Sequence, residues 1–138
     1  MNYGQPRSGE IKVTKVSVRY IVDDVDAAIA FYTEHLEFNV VMHPAPSFAM
    51  LDRGDLRLLL SAPSSQGGGG QVMPDGTKPQ PGGWNRISLQ VSDLPAIVET
   101  LRGKGVKFRN DVVHGVGGDQ ILVEDPSGSL IELFEYKR

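Results

Sequence analysis

Cysteine is absent from the 138 residues of this chain, and its absence excludes thiol catalysis, thiolate metal ligands and disulfide bonds. No run approaches the roughly 18 apolar residues needed to cross a bilayer, and the first ten residues lack the apolar segment of a signal peptide. The net charge of −3 gives no electrostatic reason to expect nucleic acid or an anionic membrane as a partner. We therefore expect a cytoplasmic protein that binds neither.

What the sequence does contain is a repeat at an offset of 69 positions. Residues 16–22 alternate between apolar and polar side chains, and residues 87–91 alternate in the same way. After each stretch, apolar residues recur at the i, i+3, i+4, i+7 spacing of an amphipathic helix. Aligning Asp24, the expected N-cap of the first helix, with Asp93 superposes the two patterns. This self-similarity predicts two β-then-α modules that pack as a pseudo-symmetric pair.

Three more strands are predicted after each helix, which gives two helices and about eight strands. The expected fold class is therefore α+β: two β-α-β-β-β modules forming a cupped mixed β-sheet with the helices outside. The first strand after the first helix is predicted to run from Phe38 to Met42 and to end there, because the prolines that follow cannot donate to a ladder.

The domain organisation follows from composition. Residues 1–10 have no periodicity and are predicted to be a flexible tail, followed by a single domain at 11–138. Module one is expected at 11–62 and module two at 84–138. Between them, residues 63–83 are rich in Gly and Pro and form either a plain linker or a lid over a cavity.

Strand alternation also assigns side chains to faces of the sheet. One face of each first strand is apolar and is predicted to pack on the helix, whereas the other face is polar. If both helices lie outside, the polar faces converge on one hollow with a mixed apolar and charged wall, as in many ligand sites. Alternatively, these side chains are simply solvated, as on one side of many antiparallel sheets. The residues assigned to the hollow are Ser17, Arg19, Leu58, Arg86, Ser88, Gln90, Glu132 and Phe134.

Two motifs carry a resemblance to a known family. The helix start Asp-Asp-Val-Asp-Ala-Ala-Ile-Ala-Phe-Tyr and the closing Glu-Asp-Pro-Ser-Gly-Ser-Leu-Ile-Glu-Leu-Phe resemble the vicinal oxygen chelate superfamily. That group includes glyoxalase I, extradiol dioxygenases, fosfomycin-resistance enzymes and bleomycin-resistance binding proteins. The resemblance covers residues 11–136 and implies the paired-module fold. It also implies one divalent metal, held by His or carboxylate side chains from the first and last strands of each module.

This chain departs from the metal pattern that the resemblance implies. The first-strand ligand positions fall on Ser17 and Arg86, and the last-strand positions fall on Leu58 and Glu132 when the two hairpins are aligned by their turns. Arginine and leucine offer no lone pair to a metal, and one carboxylate with a serine does not replace three or more N/O ligands. We therefore expect no metal and no cofactor.

The three histidines do not obviously restore a metal site. No two of them have the i, i+4 or i, i+2 spacing that brings imidazoles together. His35 is expected on the surface at a helix end, and His43 is expected to be exposed beside a proline. His114 sits beside a glycine-rich bend, from which it could turn toward the hollow and contact a ligand.

Three functions remain open from the sequence. The resemblance favours a metal-independent small-molecule binding protein of the bleomycin-resistance type, which takes an antibiotic-like or aromatic compound and forms a homodimer. The second is a glyoxalase-like enzyme with a non-standard site. It is either a metal-dependent lyase or dioxygenase with a displaced metal, or a metal-free isomerase with Glu132 as its base. The third is a domain without a ligand.

Arg86 and Glu132 form either a structural salt bridge or, with Arg19, a site for an anionic or carbonyl-bearing ligand. Trp84 is either a packing anchor or a wall for an aromatic ligand.

Overall fold

The computed structural model describes residues 16–63 and 69–137, so the predicted tail at 1–10 lies outside the described residues. Module one contains β1 (Val16–Ile21), α1 (Val25–His35), β2 (Asn39–Ala45), β3 (Phe48–Arg53) and β4 (Leu56–Ser61). These strands form a sheet in the order β1-β4-β3-β2. The β1–β4 pair is parallel and the other pairs are antiparallel.

Module two repeats this plan with one addition. It contains β5 (Ile87–Gln90), α2 (Leu94–Gly103), β6 (Lys107–Phe108), β7 (Val113–His114), β8 (Gly118–Glu124) and β9 (Leu130–Tyr136). The sheet order is β5-β9-β8-β6, and β7 pairs with the other part of β8. The predicted α+β class is confirmed. The expected strand count was too low, because β7 is a two-residue strand and too short to show a period.

Both helices begin where the sequence predicts. The Asp24 carboxylate accepts from the Ala27 amide at 3.1 Å, so it caps α1. In α2 the equivalent cap is Asp93, whose φ of 57° is unusual for a residue other than glycine. The Glu135 carboxylate accepts from the amides of Asp93 and Leu94 at 2.8 and 2.9 Å. That side chain satisfies the exposed first-turn amides and fastens α2 to the end of β9.

The prediction that β2 ends at Met42 was wrong. The strand continues to Ala45, through Pro44, with two register shifts along its pairing with β3. Because β2 is at the edge of its sheet, a residue without an N–H is tolerated there, as in other edge strands and bulges.

A single apolar core lies between the helices and one face of each sheet, and it draws residues from both modules. Two tyrosines join the modules inside it. The Tyr20 hydroxyl donates to the Leu130 carbonyl and accepts from the Ile87 amide, both at 2.8 Å. The Tyr32 hydroxyl donates to the Asp125 carboxylate at 2.8 Å. Burial is the main cause that raises the pKa of both tyrosines, so both hydroxyls stay protonated as donors at neutral pH.

No helix within 16–63 and 69–137 is long and apolar enough to cross a membrane.

Candidate functional site

Each sheet has one face turned away from its helix, which we call its open face. On β5, Ile87 and Leu89 are buried in the core, whereas Ser88 and Gln90 point outward. On β9, Ile131 and Leu133 are buried, and Glu132 and Phe134 lie on the other side. Alternation therefore places the predicted polar residues of module two together on one open face.

Glu132 is the centre of a hydrogen-bonded network on this open face. Arg86 donates to Glu132 Oε1 from Nη2 at 3.0 Å and from Nε at 3.3 Å. The Ser88 hydroxyl donates to Oε2 at 2.8 Å. With its amide nitrogen directed at the carboxylate, Gln120 donates to both oxygens, at 2.9 and 3.3 Å. The Glu132 side chain is only 14% exposed, so its charge is balanced mainly by protein groups.

Aromatic side chains flank the network. Trp84 is 68% exposed, its carbonyl accepts from Arg86 at 3.3 Å, and the Arg109 guanidinium lies 5.8 Å from its ring centroid. On β9, the rings of Phe134 and Tyr136 are in contact, with centroids 4.6 Å apart. The open face of module two thus presents flat apolar surfaces beside a polar centre, an arrangement suited to aromatic molecules with hydrogen-bonding groups.

Module one contributes a different surface. Ser17 and Arg19 are on the open face of β1, as expected from alternation. Leu58, however, is fully buried and faces the core, so its predicted place in the wall of the hollow was wrong. Arg19 is opposite Leu59 on β4, and its repeat equivalent Ser88 is opposite Glu132 on β9. Leu59 is therefore the module-one equivalent of Glu132.

The error for Leu58 comes from the turns used to align the hairpins. Arg53 pairs with Leu56 across a two-residue turn, whereas Glu124 pairs with Leu130 across five residues. Alignment by turns is therefore one residue out of register, and a slip of one residue exchanges the two faces of a strand.

His114 also lies elsewhere than the hollow. It is opposite Asp119 on β8, and Asp119 is in turn opposite Glu135, whose carboxylate accepts from the amides at the start of α2. The helix side of the sheet therefore holds His114, whose Nδ1 is 3.0 Å from the Asp119 carboxylate. Its predicted turn toward the open face was wrong, because pairing with β8 fixes its direction.

A cavity of about 430 Å³ lies between β1 and β5, the adjacent edges of the two sheets. Arg19 and Arg86 both line it, together with the apolar side chains of Ile21 and Pro81. The two predicted cationic residues therefore share one cavity.

Part of the segment between the modules lines this cavity. Residues 80–82 line it, and the Gly82 amide donates to Ser129 Oγ at 3.3 Å. A Cβ on Gly69 would lie 2.3 Å from the Arg19 guanidinium carbon, and one on Gly70 would lie 2.1 Å from the Ala62 carbonyl. Close packing on backbone atoms requires glycine at 70, whereas the positive φ of 89° favours glycine at 69.

The residues present do not fit the divalent metal that the family resemblance implies. With the register corrected, the four ligand positions are Ser17, Leu59, Arg86 and Glu132. Only Glu132 is a strong metal ligand, and both of its oxygens already accept hydrogen bonds. Among residues 16–63 and 69–137, no group of three His, Asp or Glu side chains is placed so that it could hold a metal ion. A metal in this hollow would also lie beside the Arg86 guanidinium, which repels it.

Two residues of the open faces were missed from the sequence. Gln120 completes the Glu132 network, and Arg57 is on the open face of β4, opposite Ser17. Alternation on β8 and β4 contained the signal for both, because their neighbours Ile121 and Leu58 are buried apolar residues.

Comparison with known proteins places the chain in a family. A member of the glyoxalase/bleomycin resistance protein/dioxygenase superfamily from Sphaerobacter thermophilus is 27% identical to it, with a TM-score of 0.71 over 90% of this chain and 98% of that chain. TnmS3, an antibiotic binding protein from a Streptomyces species, is 21% identical, with a TM-score of 0.69 over 93% of this chain and 100% of that chain.

An enzyme is among the similar structures as well. Lactoylglutathione lyase from Agrobacterium tumefaciens is 17% identical, with a TM-score of 0.68 over 91% of this chain and 96% of that chain. At such identities TnmS3 and the lyase show a shared fold. No curated protein sequence matched the chain. The sequence profile of the Glyoxalase/Bleomycin resistance protein/Dioxygenase superfamily matches residues 15–133, and the chain therefore belongs to that superfamily.

Proposed function

We propose that this protein binds a small antibiotic-like or aromatic molecule without a metal. The observation that carries the proposal is the Glu132 network, in which Arg86 stands at a metal-ligand position of the fold and neutralises the carboxylate. A neutralised network between aromatic side chains suits a ligand that stacks on rings and hydrogen-bonds at its centre. TnmS3, which shares the fold, is an antibiotic binding protein, and this supports the proposed class of ligand.

The proposed contacts follow from the placement of each side chain. Trp84 and Phe134 supply flat surfaces, Ser88 and Gln90 supply polar groups on the same open face, and Arg86 positions Glu132. Ser17 and Arg19 reach the ligand from module one. The described part of the intermodule segment, 69–83, acts as a lid over the cavity between β1 and β5.

We also propose that the protein is a cytoplasmic homodimer in which a second copy completes the cleft. Val40, Val41 and Met42 on the edge strand β2 are each more than 40% exposed, and an edge strand with exposed apolar residues favours pairing with another chain. Light scattering after size exclusion tests this directly. A molar mass near 15.0 kDa at micromolar concentration would contradict the dimer.

The role of Glu132 as a catalytic base is less well supported than binding. Its two oxygens accept from Arg86, Ser88 and Gln120, so proton abstraction would require a donor to leave first. Replacing Glu132 by Gln distinguishes the two functions once a ligand is known. Binding without chemical change of the ligand supports the proposal, whereas turnover that the substitution abolishes would support an enzyme.

A single tryptophan makes the binding experiment simple. Because Trp84 is exposed beside the network, a ligand that stacks on it should change the intrinsic fluorescence. We would screen aromatic metabolites and antibiotics by thermal shift, with EDTA and separately with divalent metals, and confirm each hit by Trp84 fluorescence. The proposal expects equal affinity in EDTA. Hits that require a metal would overturn it.

Two variants complete the screen. Arg86→Gln should weaken ligand binding, because Glu132 would lose its charged partner. Arg102→Gln is the matched control, since Arg102 is on α2 and pairs with Asp111, away from the open faces. Equal losses of affinity in both variants would argue against binding on the open face.

A further inference from the structure

Arg19 and Arg57 differ from the other arginines of the described residues in having no partner there. The structure describes six arginines, and four of these have a carboxylate or carbonyl within hydrogen-bond or ion-pair distance: Arg53, Arg86, Arg102 and Arg109. For Arg19 and Arg57, no hydrogen bond or ion pair is formed within 16–63 and 69–137. Both of these arginines belong to module one.

The two unpartnered arginines are neighbours on one open face. Strands β1 and β4 are parallel, with Ser17 opposite Arg57 and Arg19 opposite Leu59. Because Arg57 and Leu58 point to opposite sides of β4 and Leu58 is in the core, Arg57 shares the open face with Arg19. With strands about 4.8 Å apart and a rise of about 3.3 Å per residue, diagonal neighbours are roughly 8 Å apart, within reach of one another's long side chains.

The lack of a hydrogen-bond partner costs Arg57 free energy because its Nε is buried. Its Nε is shielded from solvent and has no hydrogen-bond partner, and a buried donor without an acceptor is unfavourable and uncommon in folded proteins. An acceptor that the protein itself does not provide would remove this cost. Because Nε is shielded in this conformation, the Arg57 side chain has to turn before its Nε–H can donate, and a ligand oxygen on the open face would then be the acceptor.

Charge on this face points to an anionic acceptor. Counting only residues within 16–63, the open face of module one carries Arg19 and Arg57 against Asp52, opposite Arg57 on β3, which is two positive charges less one negative, or +1. In module two, by contrast, Arg86 is already paired with Glu132. The unpaired arginines of the described open faces are therefore in module one.

We infer that Arg19 and Arg57 bind an oxyanion group of the ligand, such as a carboxylate, while its aromatic body lies on the open face of module two. Once the side chain turns toward the open face, the planar guanidinium of Arg57 offers two parallel N–H donors, which match the two oxygens of a carboxylate. Gly69 lies against the Arg19 guanidinium, where a longer side chain would meet it. This inference deepens the proposed function and rests on it for the position of the aromatic body.

Benzoate and benzyl alcohol provide a matched pair of probes, since they share a ring and differ in charge. Spectra of the arginine Nε–Hε groups in the ¹⁵N-labelled full chain report the site directly. We expect benzoate to shift the Arg57 signal saturably and benzyl alcohol to leave it in place. Arg57→Gln should weaken benzoate binding about tenfold or more. Arg57→Lys should bind benzoate with an affinity between those of the wild type and Arg57→Gln, because lysine keeps the charge without the paired donors. Arg102→Gln should bind benzoate as the wild type does.

The melting temperature of Arg57→Gln without a ligand gives a second readout. Because Arg57 Nε is orphaned, Arg57→Gln should melt at the wild-type temperature or above it. A large fall in melting temperature would show a structural role and overturn the inference, as would a benzoate shift no larger at Arg57 than at Arg102. Library ligands that bind Arg57→Gln and Arg19→Gln as tightly as wild type would overturn this inference and leave the proposed function intact. Benzoate binding at Arg57 without any library ligand would support this inference and contradict the proposed function.

Discussion

Replacing Tyr20 by Phe tests how the two modules are joined. The Tyr20 hydroxyl bridges β5 and β9 through the Ile87 amide and the Leu130 carbonyl, both at 2.8 Å. The substitution keeps the ring and removes both hydrogen bonds, so it leaves a buried donor and a buried acceptor without this partner. A buried polar group that loses its partner costs about 1–3 kcal/mol.

Two such groups would cost about 2–6 kcal/mol, and water from the adjacent cavity can satisfy part of that need. We therefore expect Tyr20→Phe to lower the free energy of unfolding by about 2–4 kcal/mol. With a urea m-value of about 2 kcal/mol/M, the unfolding midpoint should fall by about 1–2 M.

Urea unfolding followed by circular dichroism measures this change. Tyr136→Phe is the matched control, because Tyr136 is 61% exposed and its hydroxyl lies outside the core. That variant should stay within about 0.5 kcal/mol of wild type. If Tyr20→Phe is as stable as the control, the hydroxyl does not join the modules and the described packing is wrong.

Two further predictions concern the intermodule segment and the closing turn. Gly70→Ala should destabilise the fold by about 1–3 kcal/mol, because the new Cβ would meet the Ala62 carbonyl, whereas Gly103→Ala has open space and should be neutral or stabilising. Equal thermal stability of the two variants would refute the close packing of the segment. Burial raises the pKa of Asp125 despite hydrogen bonds from Ser129, Tyr32 and Ser127, so the folded state binds this proton more tightly than the unfolded state. Its contribution is present below about pH 4 and is lost as the pH rises through the folded-state pKa. Wild type should therefore lose stability relative to Asp125→Asn over that range in urea unfolding at several pH values, and a difference that changes in the opposite direction would contradict this assignment.

Much of the fold was predictable because its signals are local. The helix caps at Asp24 and Asp93, the 3.6-residue periodicity and the alternation of β1 and β5 each depend on a few neighbouring residues. The pairing of Arg86 with Glu132 was predictable for the same reason, since alternation placed both on the open face of module two.

The errors fall where non-local pairing decides the outcome. Leu58 was assigned to the wrong face because the two hairpin turns differ in length, and burial alternation would have been the better guide. His114 belongs to a two-residue strand whose direction is set by β8. Pro44 continues a strand because β2 is an edge, a property of sheet order that local sequence does not carry. The unpartnered state of Arg57 is likewise visible only when its neighbours are known.

The metal content of the native protein tests the central claim most directly. Protein purified without a metal-affinity tag or chelator would be examined by inductively coupled plasma mass spectrometry for Zn, Fe, Mn, Ni and Co. Because Arg86 and Leu59 stand at ligand positions and Glu132 is bound by Arg86 and Ser88, we predict less than about one tenth of a metal ion per chain. About one tightly held ion per chain, retained through dialysis, would contradict the account.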